Sequence, residues 1–317
     1  MASIRVGEKR LQEVVQRYGL ADTHEHMSAI LDYSERVTRQ AFLNIPDGTY
    51  RVLDYMDDDG LVDQLVPIAV AVTVDGDEIT MDFTGTSPQR PGCINAPAAV
   101  TMSACLYVVR CLVGDEAPAN QGCLRPVHIV TPRGTLLNPE PQRGVAGGNV
   151  ETSQRITDVL LAAFAQALPE IIPAASQGTM NNMIIGGHDP VRERPYVYYE
   201  TIGGGMGARP LADGLSATAF PSGIKGVPAE VIEAVSPVLL LKRALRPDSG
   251  GAGKYRGGLG QEMVLQMDTD RPVLHSCMYD RTRSPARGFI GGKDGAVGEL
   301  ILSDGSVPHP KGKYEIQ

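Results

Sequence analysis

The chain has 317 residues, 42% of them hydrophobic and 21% charged, with a net charge of −8. That length and balance fit one large or two ordinary globular domains and exclude a disordered chain. The acidic balance and the absence of any basic run exclude a non-specific nucleic-acid binder, which needs clustered Lys and Arg against phosphates.

Taken in order, residues 6–18 place Leu11, Val14, Val15 and Tyr18 on one helical stripe that Gly19 stops. Asp22 or Thr23 caps a second predicted helix over 23–43, carrying Met27, Ile30, Leu31, Val37 and Ala41. Residues 1–60 therefore read as a helical hairpin segment and 61–317 as an α+β core domain. In "IAVAVTVDGDEITMDF" an Asp75-Gly76 turn predicts a β-hairpin with Val72 opposite Ile79, Val70 opposite Met81 and Ile68 opposite Phe83. Pro97 opens an apolar helix over 98–113, which Thr101, Ser103 and Arg110 mark as a buried helix and not a membrane span. A strand at 124–131 follows, then a helix at 150–167 with Ile156, Val159, Leu160, Ala163, Phe164 and Ala167 on its apolar face. Short strands are expected at 180–186, 195–202, 237–245, 261–267, 272–279 and 297–302. No regular β-α-β alternation runs through them, so the predicted class is α+β, with mostly antiparallel short strands in mixed sheets and a few packed amphipathic helices.

The five cysteines are odd in number and show no CxxC spacing, which points to buried thiols in a reducing cytoplasm. In "DTHEHM", His24 and His26 lie about 200° apart around a helix and cannot converge on one ion, so no metal site is expected in this chain. The glycine-rich "GGGMGA" (203–208) is followed by Arg209-Pro210 and not by a helix that could hold a phosphate at its N-terminus. "GGAGKY" (250–255) departs from a P-loop at Asp248 and Tyr255. Neither is expected to bind a nucleotide. What remains is a density of amides beside glycine or proline turns: Asn95, Asn149, Gln154, Asn181 and Asn182. Asn149 reads as the cap of the 150–167 helix, while Asn181-Asn182 before an apolar strand suit recognition of a small polar or anionic ligand.

Several stretches, in collinear order, resemble the hydantoinase B/oxoprolinase family. They are "MDFTGTSPQRPGCINAP", "RPVHIVTPRGTLLNPEPQRGVAGGNVETSQRITDVL", "PAASQGTMNNMIIGG", "VYYETIGGGMGA" and "LRPDSGGAGKYRGGLGQ". The opening "GEKRLQEVVQRYG" and "PDGTYRVLDYMDDDG" fit the same pattern. The resemblance implies part of the B subunit of an ATP-dependent cyclic amidohydrolase that opens a hydantoin, 5-oxoproline or lactam ring. It implies a hydantoinase A-type partner carrying ATP and Mg, and a divalent metal in the amino-side region of the B subunit. Two alternatives stand beside it: a subunit of an acetone- or acetophenone-carboxylase type complex acting on a ketone, and a non-catalytic scaffold that docks partner chains.

Against the family pattern, the chain lacks the Asp- and His-containing metal motif and the Gly-rich ending, so it is expected to be a carboxyl-side or internal portion and inactive alone. Where family members carry an "HMTNT"-like stretch, this chain reads "AFPSGIKGVPAEVIE", which leaves the substrate subgroup open. The resemblance and helix geometry together place Glu151, Thr152, Ser153 and Gln154 beside a shared interior cleft. The candidate substrate-binding set is Asn95, Asn149, Glu151, Gln154, Asn181, Asn182 and Glu200. A purely structural polar network is the alternative for these groups.

Overall fold

The structure is a computed structural model that describes residues 2–221 and 223–316. Helices α1 (Ala2–Tyr18) and α2 (Leu20–Phe42) flank Gly19, whose φ of 86° lets the second helix restart at once. Neither Asp22 nor Thr23 caps α2: its first residue precedes both, and the Thr23 hydroxyl instead donates to the Gly19 carbonyl at 2.6 Å. Leu11, Val14 and Tyr18 on α1 remain exposed. The carboxyl end of α2 docks through buried Ser34, Thr38 and Phe42.

The first sheet has the order β1-β2-β3-β4, formed by β1 (Gly48–Met56), β2 (Val66–Asp75), β3 (Glu78–Asp82) and β4 (Val127–Val130). Strand β1 was not anticipated in the segment assigned to helices. The β2–β3 hairpin forms, but its register differs from the expected one by two residues. Val72 faces Met81, Val74 faces Ile79, and the turn is Gly76-Asp77. Gly76, at φ 58°, takes the first central position that a type II′ turn reserves for glycine. A slip of two leaves every side chain on its original face, so Val70, Val72, Val74, Ile79 and Met81 are all buried as the alternation requires. Strand β4 pairs parallel to β3.

Helices α3 (Ala98–Val113) and α4 (Ser153–Ala167) cover this sheet and close the larger core. By length and composition Ala98–Glu116 could cross a membrane, but Thr101, Ala104, Cys105, Val108 and Val109 are buried within the fold. The turn before α4, Gly148–Thr152, is π-helical. Asn149 therefore lies inside a helical turn and caps nothing, because the helical winding begins before it.

The second sheet, ordered β10-β9-β5-β6, contains β5 (Asn182–Asp189), β6 (Arg194–Thr201), β9 (Val273–Met278) and β10 (Lys311–Ile316), all antiparallel. A separate ribbon pairs β7 (Val238–Leu245) with β8 (Gln261–Met267). Ile232 of the short helix α5 (Ala229–Val235) joins Met183, Ile185, Tyr196, Tyr198 and Val238 in a second, smaller core. No strand forms at 297–302: Ala296 and Gly298 donate to Ser249 and Arg281 in neighbouring loops, which takes their backbone away from any ladder. The protein is an α+β fold with five α-helices and mostly antiparallel sheets among the described residues.

Candidate functional site

Where the ends of the second sheet meet the glycine-rich loops, a cavity of about 420 Å³ opens. Its walls are the segments around 177–181, 202–209, 249–258 and 286–298. "GGGMGA" and "GGAGKY" thus share one cavity, and "GGGMGA" is interlocked with the neighbouring strips of backbone at 177, 215 and 258. Met206 donates to the Leu215 carbonyl at 2.9 Å, Gly258 donates to Met206 at 2.8 Å, and Gln177 donates to Gly205 at 3.0 Å. The strips approach so closely that a Cβ on Gly205 would stand 1.9 Å from the Gly258 carbonyl oxygen. The glycines are required by contact between main chains, which leaves amide and carbonyl groups as much of the wall.

Charge in the wall is lopsided. Arg209, Arg246, Lys254, Arg281, Arg287 and Lys293 face Glu170 and Asp280. Gln177 adds a buried side-chain oxygen, Oε1, with no hydrogen-bond partner among the described residues. Such a wall can hold a small polar molecule through backbone and side-chain amides and favours negative charge on it.

Beneath the cavity lies a buried ionic cluster that the sequence did not disclose. Arg155, fully buried on α4, donates to Asp280 at 3.0 Å and to the Tyr55 carbonyl. Arg281 donates to Asp54 at 3.1 Å and to Asp158 at 3.2 Å. Lys311 on β10 pairs with Asp280 and donates to the Asp58 carbonyl at 2.8 Å. Burial alone would raise the Asp280 carboxyl, but Lys311 and Arg155 hold it below its ordinary value. Burial of Asp158 outweighs the two arginines and pushes that carboxyl up. Asp57 accepts five hydrogen bonds from the 282–284 turn: Thr282 N at 2.6 Å and Oγ1 at 3.0 Å, Arg283 N at 3.1 Å, Ser284 N at 3.1 Å and Oγ at 2.5 Å. This carboxylate pins the loop that forms one cavity wall.

The seven amide and acid candidates separate clearly. Asn181, at φ 46°, lines the cavity. Glu151 is fully buried behind it and accepts the Met180 N–H at 3.3 Å. Gln154 is buried one turn further along α4. Asn95 is a structural clasp: its Nδ2 donates to the carbonyls of Arg90, Gly92 and Gly144, and its Oδ1 accepts from Arg90 N at 2.7 Å. The loop it fixes packs against the π-turn, where a Cβ on Gly148 would meet the Asn95 carbonyl at 2.1 Å. Asn149 is exposed. Asn182 accepts from the Tyr199 hydroxyl at 2.5 Å, and Glu200 pairs with Arg243 and accepts from Tyr198. Neither Asn182 nor Glu200 is among the residues lining the cavity. Sequence reasoning missed Gln177, Asp280 and Arg281. The runs "SQGTMNN" and "YDRTRSPARG" carried the signal, as polar residues crowded between predicted strands.

His24 and His26 lie exposed on α2, and among the described residues no group of three His, Cys, Asp or Glu side chains is arranged to hold a metal. The dense carboxylates do not fit a divalent ion either, because Arg155, Arg281 and Lys311 already occupy their inner faces. "GGAGKY" runs as an irregular loop, so it offers no helix N-terminus to a nucleotide phosphate.

Fold and cavity define an α+β protein built around a glycine-walled pocket. The hydantoinase B/oxoprolinase family model matches residues 1–316, and the chain belongs to that family. It is 36% identical, over 99% of its length, to an uncharacterised protein of Methanocaldococcus jannaschii, of which it covers 54%. It is 36% identical to 5-oxoprolinase 1 of Arabidopsis thaliana over 95% of its length and 24% of that protein. The B subunit of a candidate D-/L-hydantoinase from a Pseudomonas sp. is 32% identical, with 96% of this chain and 52% of that one covered. The chain thus spans about half or less of these relatives. Among solved structures, the ATP-dependent caprolactamase of Pseudomonas jessenii matches with a TM-score of 0.77 and 25% identity, over 99% of this chain and 55% of that one. Nucleotide-free acetone carboxylase matches in fold, with a TM-score of 0.81 at 22% identity, over 92% of this chain and 41% of that one.

Proposed function

We propose that this chain is part of the B component of an ATP-dependent cyclic amidohydrolase of the cytoplasm, and that the glycine-walled cavity receives a hydantoin, 5-oxoproline or lactam ring. The observation that carries the reading is the cavity wall itself. It presents main-chain amides, the Asn181 side chain and an excess of guanidinium and ammonium groups. A cyclic amide offers a matching donor and acceptor, and ring opening creates a carboxylate that this wall favours. The likeness to 5-oxoprolinases and to a caprolactamase, both of which act on cyclic amides by name, supports the same chemistry.

In this reading, activation by ATP and Mg belongs to a hydantoinase A-type partner, and a divalent metal belongs to the amino-side part of the B subunit. The region 1–60 and the core 61–317 act together as one lobe of the B component. The chain alone then hydrolyses neither ATP nor a cyclic amide. Reconstitution tests this: the chain is mixed with the amino-side part of the B subunit and a hydantoinase A-type protein, and ATP-dependent ring opening is measured. Activity restored in the mixture, and lowered about tenfold or more by Asn181→Ala or Gln154→Ala, is the expected result, as for loss of a positioning hydrogen bond. Ring opening by the isolated chain would refute the division of labour. Carbon dioxide fixation onto a ketone in place of ring opening would move the assignment to the carboxylase type. A mixture that assembles but shows no turnover of either kind would favour a docking scaffold.

A further inference from the structure

Glu151 borders the ionic cluster without a salt-bridge partner in it among the described residues, and its surroundings are unusual. It sits in the π-helical turn at the head of α4, a winding often retained where a side chain must be aimed. It is 0% exposed. One carboxyl oxygen, Oε1, accepts the Met180 N–H, while Oε2 has no hydrogen-bond partner among the described residues. The Thr179 hydroxyl stands next to the carboxyl but donates to Asn181 Oδ1 at 3.2 Å. Thr179 and Asn181 both line the cavity. A line of polar atoms therefore runs from an enclosed carboxyl, through one hydroxyl, to an amide oxygen at the cavity surface.

We infer that Glu151 is the proton reservoir of the cavity, exchanging a proton with the bound ligand through the Thr179 hydroxyl. The inference rests on the ring-opening reading for its chemistry. When an amide is hydrolysed, the departing nitrogen takes up one proton and the entering water gives one up. In the outward step the Glu151 O–H bond breaks and its proton moves to Thr179 Oγ1. The hydroxyl's own proton leaves Oγ1 for the departing nitrogen. The proton released by water restores Glu151 by the reverse path.

The charged groups facing Glu151 agree with this. Burial pushes its carboxyl up to about 8, and the negative charge of Asp280 adds to the rise. The Thr179 hydroxyl, the Lys311 ammonium and the Met180 N–H act the other way. The group is thus protonated at neutral pH and yet able to ionise, the condition for exchange in both directions. The resulting carboxylate would have the Thr179 hydroxyl at hand, rotated away from Asn181, as its donor.

The test has two readouts on the full chain. The first is infrared difference spectroscopy, comparing the wild type with Glu151→Gln. A protonated-carboxyl band should be present at pH 7, vanish in the variant, and titrate near pH 8. Thr179→Val should move that titration upward by removing a donor to the ionised form. The second is the pH profile of kcat in the reconstituted enzyme. Glu151→Gln should lower kcat by about 100-fold and flatten the limb near pH 8, Thr179→Val should do likewise, and Thr179→Ser should retain activity. Absence of the band at pH 7 would overturn the inference. So would a present band combined with unchanged kcat and pH profile in Glu151→Gln and Thr179→Val. A wild-type mixture that opens no ring counts against the proposed reaction, while the band still decides the state of Glu151.

Discussion

Replacing Asp57 with alanine removes five acceptor contacts at once, all made to the 282–284 turn. Hydrogen bonds to a charged group contribute roughly 1.5–3 kcal/mol each, so a simple sum reaches about 7–15 kcal/mol. That sum overstates the loss, because the five bonds share one carboxylate and water can reach part of the turn. The Arg283 side chain beside it is 41% exposed. We expect a net loss of about 4 kcal/mol, at the upper end of ordinary single substitutions and a large share of a domain's stability. Asp57→Asn keeps one acceptor oxygen but turns an NH2 group toward N–H donors, and should lose about 2–3 kcal/mol. Urea denaturation followed by far-UV circular dichroism measures both, since the chain has no Trp to report by fluorescence. Trypsin adds a local readout, with faster cleavage at Arg283 and Arg287 once the turn is untethered. A loss below about 1 kcal/mol in Asp57→Ala, with unchanged cleavage, would refute the view that this carboxylate holds the cavity wall.

Gly205→Ala should lower stability by about 2–3 kcal/mol and deform the cavity, because its Cβ meets a carbonyl oxygen at 1.9 Å; a thermal melt matching the wild type would show that the strips can part freely. Gly76→Val should cost about 1–2 kcal/mol, since a β-branched residue disfavours the φ of 58° there, and an unchanged denaturation midpoint would contradict the turn. Glu151 sets a pH dependence with a definite sign. Its folded-state carboxyl holds a proton up to about 8 while the unfolded one releases it near 4.5, so stability falls as pH rises through that window, by on the order of 5 kcal/mol. Glu151→Gln should abolish that slope and be more stable than the wild type above pH 8; identical slopes would contradict the assignment.

The two layers of the protein were not equally legible in its sequence. Helices α3 and α4 and most strands were readable because their apolar residues follow a period that burial enforces. The β2–β3 register was not, because a two-residue slip preserves every buried face and only the turn decides it. Strands β1 and β10 were missed: "TYRVLDYM" and "KGKYEI" interleave charges and tyrosines, and they become strands only when paired. Val297–Leu302 has the composition of a strand, but its backbone is claimed by loops. At the site, the crowding of polar residues around 151–154 and 177–182 is visible in the sequence, and of these Asn181 lines the cavity. The ionic cluster is not, because the contacts that assemble it, such as Arg155 with Tyr55 and Asp280 and Arg281 with Asp54, join residues 100 to more than 200 apart, and spacing reveals only local pairs. Asn95 shows the opposite limit: an amide near a proline turn looks the same in sequence whether it is open to a ligand or bonded, as here, within its own loop.

The contact between Lys311 and the Asp58 carbonyl spans 253 residues. At ordinary synthesis rates, Lys311 leaves the ribosome roughly 10 to 50 s after Asp58. The 282–284 turn that Asp57 holds emerges shortly before it, and until Lys311 itself is in place Asp280 lacks its ammonium partner, so the cavity floor is incomplete. The first sheet and its helices need none of those residues for their own core and can form while the chain is still being made. The cavity therefore takes its final form only when β10 joins the second sheet and sets Lys311 between Asp58 and Asp280, so the geometry of its floor depends on a strand more than 250 residues from the acidic turn it clamps.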